Sequence, residues 1–310
     1  MNSRYCIEII LCGLLVGLFG YGDLNGRGNE RKSEKWSYLG LENKANRPVP
    51  FARGLVSTKG QNEYGIHFSN DLSSIFFTRS SKKNPYQIFV ISHRKGGWKK
   101  AELLPFIKSF PGVESCLSHD GKRFVYQWID DRGEEFRQDF YGVVRLADQW
   151  GTPKPLSKID FGERTVSPSL AKSGNLFYSG DFDEKGQKDL YISEWRNGRY
   201  MRPRNLGKNV NSVHHEMHVY VSPDERYILF DSDRPNRYGR SDIFISFKTS
   251  KGWSKSLNLG EAVNSKEWDW FPHVSPDGKY LFFCRTIKGD IDIYWLQTKF
   301  IDHLKTCCPK

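Results

Sequence analysis

Side chains able to bind a ligand or handle a proton stand at matched distances ahead of a recurring turn in this 310-residue sequence. Six residues before the second residue of each turn lie Glu63, Gly112, Thr165, Glu216 and Asp269. Two residues before it lie His67, Cys116, Ser169, Tyr220 and His273, with His214, His215, His218, Trp268 and Trp270 clustered around them. The reading gathers Glu63, His67, Glu216, His218, Trp268, Asp269, Trp270 and His273 into a polar ring, a ligand-binding site at the mouth of a channel. Imidazole and carboxylate together suit Zn²⁺ or Mn²⁺. Carboxylates facing each other across a channel are what glycoside hydrolysis needs, with Glu63, Glu216 and Asp269 as the available set. A histidine ring holding a cation would suit a uronate lyase. Trp268 and Trp270 offer flat faces to a sugar. The plainer alternative is that these groups satisfy backbone atoms and hold channel water.

No motif singles out a reaction. HHEMH (His214 to His218) is not the helical HExxH zinc pair, and on a strand its faces alternate. The G-x-S-x-G nucleophile elbow and the S-x-D-x-G-x-x-W box are both absent. The loop DFDEKGQKD (Asp181 to Asp189) lacks the terminal Glu of a calcium loop, so its aspartates read as turn terminators and strand caps. Cys116, Cys284, Cys307 and Cys308 show neither metal-ligand spacing nor a disulfide framework. The expectation is therefore no catalytic residue and no cofactor, with a divalent metal as the lesser alternative.

These residues are placed by a repeat. VSPDE–RYILF (from Val221) and VSPDG–KYLFF (from Val274) are its clearest copies, and LSHDG–KRFVY, FSNDL–SSIFF and LAKSG–NLFYS are looser ones. Their second residues, Ser69, Ser118, Ala171, Ser222 and Ser275, are spaced by 49, 53, 51 and 53. In each copy Pro or a polar residue opens the turn, Asp bonds back to the backbone and Gly accepts positive φ. An aromatic, β-branched strand follows, then a polar loop. A third strand begins after an Asp (Asp139, Asp189, Asp242, Asp292), and a short polar strand carries Trp98, Trp150, Tyr200 or Trp253. Four-stranded units of this length are propeller blades. The sequence thus predicts an all-β fold, a five-bladed β-propeller with repeats near 63–110, 111–162, 163–213, 214–265 and 266–298. A sixth blade would need one more unit. The last unit runs into KFIDHLK, a short helix within 299–310, so Val49 to Leu55 is expected to supply its missing outer strand and hide the open edges.

The N-terminus reads as an address. A basic start and the apolar run Ile9 to Phe19 mark residues 1–22 as a signal peptide, followed by a loose lead-in over 23–47. The expected product is exported, to the periplasm or the outer-membrane or extracellular surface, as a monomer with no transmembrane span after signal removal. Lys plus Arg is 47 against 36 Asp plus Glu, a formal charge of +11 that invites anionic partners. Lys82, Lys83, Arg94, Lys95, Lys99 and Lys100 are dispersed without an aromatic-interleaved patch, which argues against nucleic acid. An envelope protein or an acidic glycan is the expected partner.

The SPDG–aromatic strand–polar loop–DIY pattern resembles the WD40-like β-propeller repeat of TolB and related exported bacterial proteins. Ser222 to Ser246, Ser275 to Phe283 and Asp290 to Leu296 carry the likeness most closely. The extra domain that precedes the TolB propeller has no counterpart here. The resemblance implies an exported propeller serving as a binding scaffold, and it carries no catalytic residues over.

Overall fold

A computed structural model describes residues 37–44, 47–81, 87–95, 97–130, 137–146, 149–156, 161, 163–182 and 187–307. The expected signal peptide, the lead-in up to residue 36, Lys82, Lys83 and Cys308 lie outside the described residues. Among the described residues no helix is long and apolar enough to cross a membrane.

Five antiparallel sheets follow one another along the chain, each opening on an inner strand: Asn62–Phe68, Gly112–Leu117, Glu163–Leu170, Glu216–Val221 and Trp268–Val274. Each inner strand pairs with the next in sequence, and that one with a third: in the fourth blade Tyr227–Ser232, then Asp242–Thr249. This is the five-bladed propeller that the repeat predicts.

The turn between the first two strands is built by side chains. In the fifth blade the Ser275 hydroxyl donates to Asp277 (2.8 Å), while Asp277 accepts Lys279 N–H (3.1 Å) and Ser275 Oγ accepts Tyr280 N–H (3.0 Å). The same bonds recur around Ser69, Ser118 and Ser222. The third blade has Ala171 instead and closes one residue earlier, with Ala171 N–H donating to Asn175 O. Its second strand is consequently offset by one residue: Leu176 and Tyr178 face the second blade, where Phe124 and Tyr126 of the second blade face the first.

Apolar side chains on both sheet faces meet between blades, giving five separate hydrophobic clusters. Phe77, Phe124, Phe177, Phe230 and Phe283 are fully buried there, each stabilising the ring by about 1.5–3 kcal/mol. Trp98, Trp150, Tyr200 and Trp253, expected on the short outer strands, each reach into the cluster shared with the preceding blade. Among the described residues the fifth blade has no such hairpin. Helix Lys299–Cys307 takes its place and sets Ile301, Phe300 and Leu304 against the fourth blade.

The ring closes through the early segment, by a shorter strand than expected. Val49 and Pro50 pair with Trp295 and Tyr294, and Phe51 N–H still donates to Ile293 O (2.7 Å). Pro50 has no N–H to extend the ladder. The chain then turns at Ala52 (φ +46) and buries Phe51 and Val56 completely instead of running on to Leu55 as strand.

Candidate functional site

Every inner strand carries a bulge four residues before its turn. The pairing shifts register in each, and the bulged residue has positive φ: Gly65 (+63), Glu114 (+48), Ser167 (+55), His218 (+44) and Phe271 (+59). A bulge re-aims the side chain it carries. Here it turns these five positions towards one another across the channel. Ser167 donates from N–H (2.7 Å) and hydroxyl (3.0 Å) to Glu114. The other Glu114 oxygen lies 3.8 Å from His218 Nε2. The His218 ring sits 4.5 Å from that of Phe271. Phe271 in turn covers Gly65, where an added Cβ would lie 3.3 Å from its ring. A side chain at that point would crowd the Phe271 ring, and the positive φ adds strain that glycine avoids. These contacts narrow the channel at one level.

His218 Nδ1 also meets Asp231 at 2.8 Å, and Asp231 accepts Phe271 N–H (3.2 Å). Burial pulls the His218 pKa down, but Asp231 and then Glu114 outweigh it and the net shift is upward. Counting six and two residues back lands on neither Asp231 nor the bulge, although Glu114 lies close to the Gly112 that it returns. Counting four back returns the five bulged positions, and Asp231 has no repeat signal of its own.

The expected carboxylates are built into the scaffold. Glu63, Glu216 and Asp269 are fully buried, and each is gripped from two sides. One side is the preceding loop: Ser212 donates N–H (2.8 Å) and hydroxyl (2.6 Å) to Glu216, Ser265 does the same for Asp269, and Thr58 for Glu63. The other side is an arginine from the same blade: Arg79 on Glu63 (2.9 Å), Arg234 on Glu216 (2.8 Å) and Arg285 on Asp269 (2.6 Å). Each guanidinium also donates to a loop carbonyl, of Val56, Val210 and Val263. Desolvation raises the Glu63 and Asp269 pKa values against the pull of these partners. The repeated LGKNVNS and LGEAVNS loops were the sequence signal for this brace.

The two tryptophans separate. Trp268 is exposed beside Arg240, whereas Trp270 stacks on Tyr64 and donates to Thr286 Oγ1 (3.1 Å). His67 and His273 do reach the channel. With Cys116, Ser169 and Tyr220 they line a cavity of about 80 Å³, together with turn residues Asn70, Ser118, His119, Pro223 and Pro276. The cavity therefore opens on the face of the SPDG-type turns, opposite the loops that lead into the inner strands. The structure does not bring the eight residues into one ring. Burial lowers the His67 pKa well below the ordinary histidine value, and that of His273 to about 3, so both are neutral near pH 7. Among the described residues neither His67 ring nitrogen has a hydrogen-bond partner, and no three His, Cys, Asp or Glu side chains converge as a metal site would require.

A cavity of about 80 Å³ admits a few waters and falls short of the roughly 300 Å³ of a small-molecule pocket. The face around it is richer. Lys122, Lys172, Arg226 and Lys279 stand exposed on the turns, and Arg94, Lys95, Lys99, Lys100, Arg145, Arg196, Arg199, Lys248, Lys251 and Lys255 on the outer hairpins. The acids of the turns themselves are committed, and exposed Glu102 is not among them. Asp71, Asp120, Asp224 and Asp277 hold their turns, and Glu194 lies between Arg196 and Arg204.

No protein family and no curated protein matches the chain. Solved propellers do. The structure described as TolB from Agrobacterium tumefaciens superposes with a TM-score of 0.52 at 18% identity, covering 77% of this chain and 78% of that one. TolB from Acinetobacter baumannii gives 0.51 at 15% identity over 77% of this chain, which spans only 55% of the length of that protein. The likeness to TolB β-propellers is one of fold.

Proposed function

We propose that this propeller is an exported binding module whose turn face receives an anionic partner of the cell envelope. The observation that carries the reading is the distribution of charge. Cations crowd the turn face, and the acids of its turns are held by turn bonds, with Asp224 and Asp277 also pairing Arg226 and Lys279. Such a face draws in and orients a polyanion more than it tightens a complex. The glycan-hydrolysing alternative relied on Glu63, Glu216 and Asp269, and all three are buried against arginines. A carboxylate held that way does not face a substrate, so binding is the better-supported function.

The test is retention on immobilised polygalacturonate and polyglutamate, raised from about 50 mM to about 300 mM salt. Reversing Lys122, Lys172 and Lys279 to Glu should weaken retention at least about tenfold. Reversing Lys208 and Lys266 on the opposite face should leave it unchanged. Retention of neither polymer, or equal loss in both variants, refutes the proposal.

A further inference from the structure

The five blades offer the same wall to the blade that follows, and the chain fills that wall unequally. In the fifth blade the wall is Tyr280, Phe282, Trp295 and Gln297, with Phe282 opposite Trp295 and Tyr280 opposite Gln297. Tyr38, brought back by the lead-in, sits on it. Its ring meets those of Tyr280 (4.9 Å), Phe282 (6.2 Å) and Trp295 (6.1 Å), and its hydroxyl donates to Asp277. In the fourth blade the equivalent wall is Tyr227, Leu229, Ile245 and Phe247, and the C-terminal helix covers it. Two of these places are thus occupied by side chains of the protein itself.

In the first blade the wall is Ser74, Phe76, Val90 and Ser92, paired in the same register. Smaller residues stand where the fifth blade has Tyr280, Trp295 and Gln297. The result is an open groove of about 690 Å³ between the first and second blades, running from the turn-side ends of these strands to the segment 104–110 that leads into the second inner strand. Its volume falls within the range of ligand pockets. Phe76, Phe106 and Trp150 give it an aromatic lining, and Arg94 and Arg145 are exposed along it. Neither arginine pairs with a carboxylate among the described residues, and Arg145 is held over the Trp150 ring at 5.7 Å. Lys95, Lys99 and Lys100 follow in the same hairpin, and Glu102 is the one acid that lines the groove among the described residues. The second blade has a smaller version, about 420 Å³, in which Arg123 lies over Trp195.

We infer that the groove between the first and second blades binds an acidic peptide segment of a partner protein through an inserted aromatic side chain. Tyr38 shows what such a place accepts: a flat ring against the inner wall, with a polar tip at the turns. The cations on the rim supply what Tyr38 does not need, attraction for acidic residues flanking the ring. An aromatic anchor in an apolar pocket with a charged rim is how affinity concentrates at protein interfaces. The inference rests on the turn face being the binding face, and it names the partner chemistry for one part of it.

The probes are two fluorescein-labelled peptides, EDEYEDE and EDEAEDE, with polygalacturonate as competitor, read by fluorescence anisotropy. The tyrosine peptide should bind at least about tenfold tighter than the alanine peptide. Ser92→Trp, which sets an indole in the groove, should reduce it to the alanine level while leaving polygalacturonate retention intact. The pair Arg94→Glu and Arg145→Glu should weaken both peptides; because both sites are exposed, this second variant keeps the test decisive if Ser92→Trp does not fold. Equal affinity for the two peptides overturns the inference, as does tyrosine-peptide binding that survives both variants. Polygalacturonate binding lost in parallel on Ser92→Trp would assign the groove to a glycan and overturn it too. A protein that retains neither polyanion nor peptide instead overturns the wider reading of the face.

Discussion

Replacing Arg285 by Met tests the brace on which the inner strands depend. Arg285 is almost buried (12% exposed) and its partner Asp269 is fully so, at 2.6 Å. The methionine keeps much of the apolar stem over Phe283 and Tyr294 but leaves a buried carboxylate without its counter-charge. Breaking a buried pair from one side costs about 3–5 kcal/mol. For a chain of this size that corresponds to a thermal midpoint lowered by roughly 5–8 °C. The assay is denaturant and thermal unfolding followed by tryptophan fluorescence and circular dichroism. Two comparisons are internal. Arg79→Met and Arg234→Met remove the same brace in other blades and should cost a similar amount, adding with Arg285→Met because they share no partner. Lys44→Met removes an ion pair whose side chains are 81% and 63% exposed and should cost no more than about 1 kcal/mol. An Arg285→Met cost no larger than that of Lys44→Met would refute the argument that these acids are structural, and would return Asp269 to the set of groups free to meet a ligand.

His218 has a pKa above its ordinary value of 6.5 because Asp231 and Glu114 outweigh burial. Its contribution is complete below the unfolded pKa and is lost as pH rises through the raised folded one, so the midpoint difference between wild type and His218→Gln should shrink as pH is raised above 6.5. His67 and His273 are shifted the opposite way but are common to both proteins and cancel in that difference, whereas Lys188 opposes the His218 shift and is already part of its net upward direction. Gly65→Ala forces a Cβ to 3.3 Å from Phe271 at φ +63; a loss of about 1–2 kcal/mol in denaturant unfolding is expected, and an unchanged midpoint would show that Phe271 does not close over this position.

Much of the architecture is written locally, because each blade is one supersecondary unit. The Ser-x-Asp turn works through bonds spanning two to five residues in four blades, and with the Ala171 turn of the third its recurrence at 49, 53, 51 and 53 places the five inner strands without knowledge of anything distant. Even the closing segment could be found, since the last unit lacks an outer strand and the early residues resemble those that precede a unit. The length of that closing strand could not, because Pro50 and the burial of Phe51 against the fifth blade end it early.

The candidate site was less legible for a definite reason. Glu63, Glu216 and Asp269 are correctly placed as repeat equivalents, but whether a buried acid faces a ligand or an arginine depends on Arg79, Arg234 and Arg285, 16, 18 and 16 residues away on the neighbouring strand or the loop after it. The bulge is likewise a backbone conformation with no residue type of its own: Gly, Glu, Ser, His and Phe all adopt it. The open groove is more distant still, since it exists only where neither Tyr38 nor the C-terminal helix reaches. Strand order and turn chemistry come from short-range bonds, and the sequence alone determines them. Which walls of the ring stay open depends on where Tyr38 and the helix Lys299–Cys307 come to rest on it, and only the closed tertiary structure decides that.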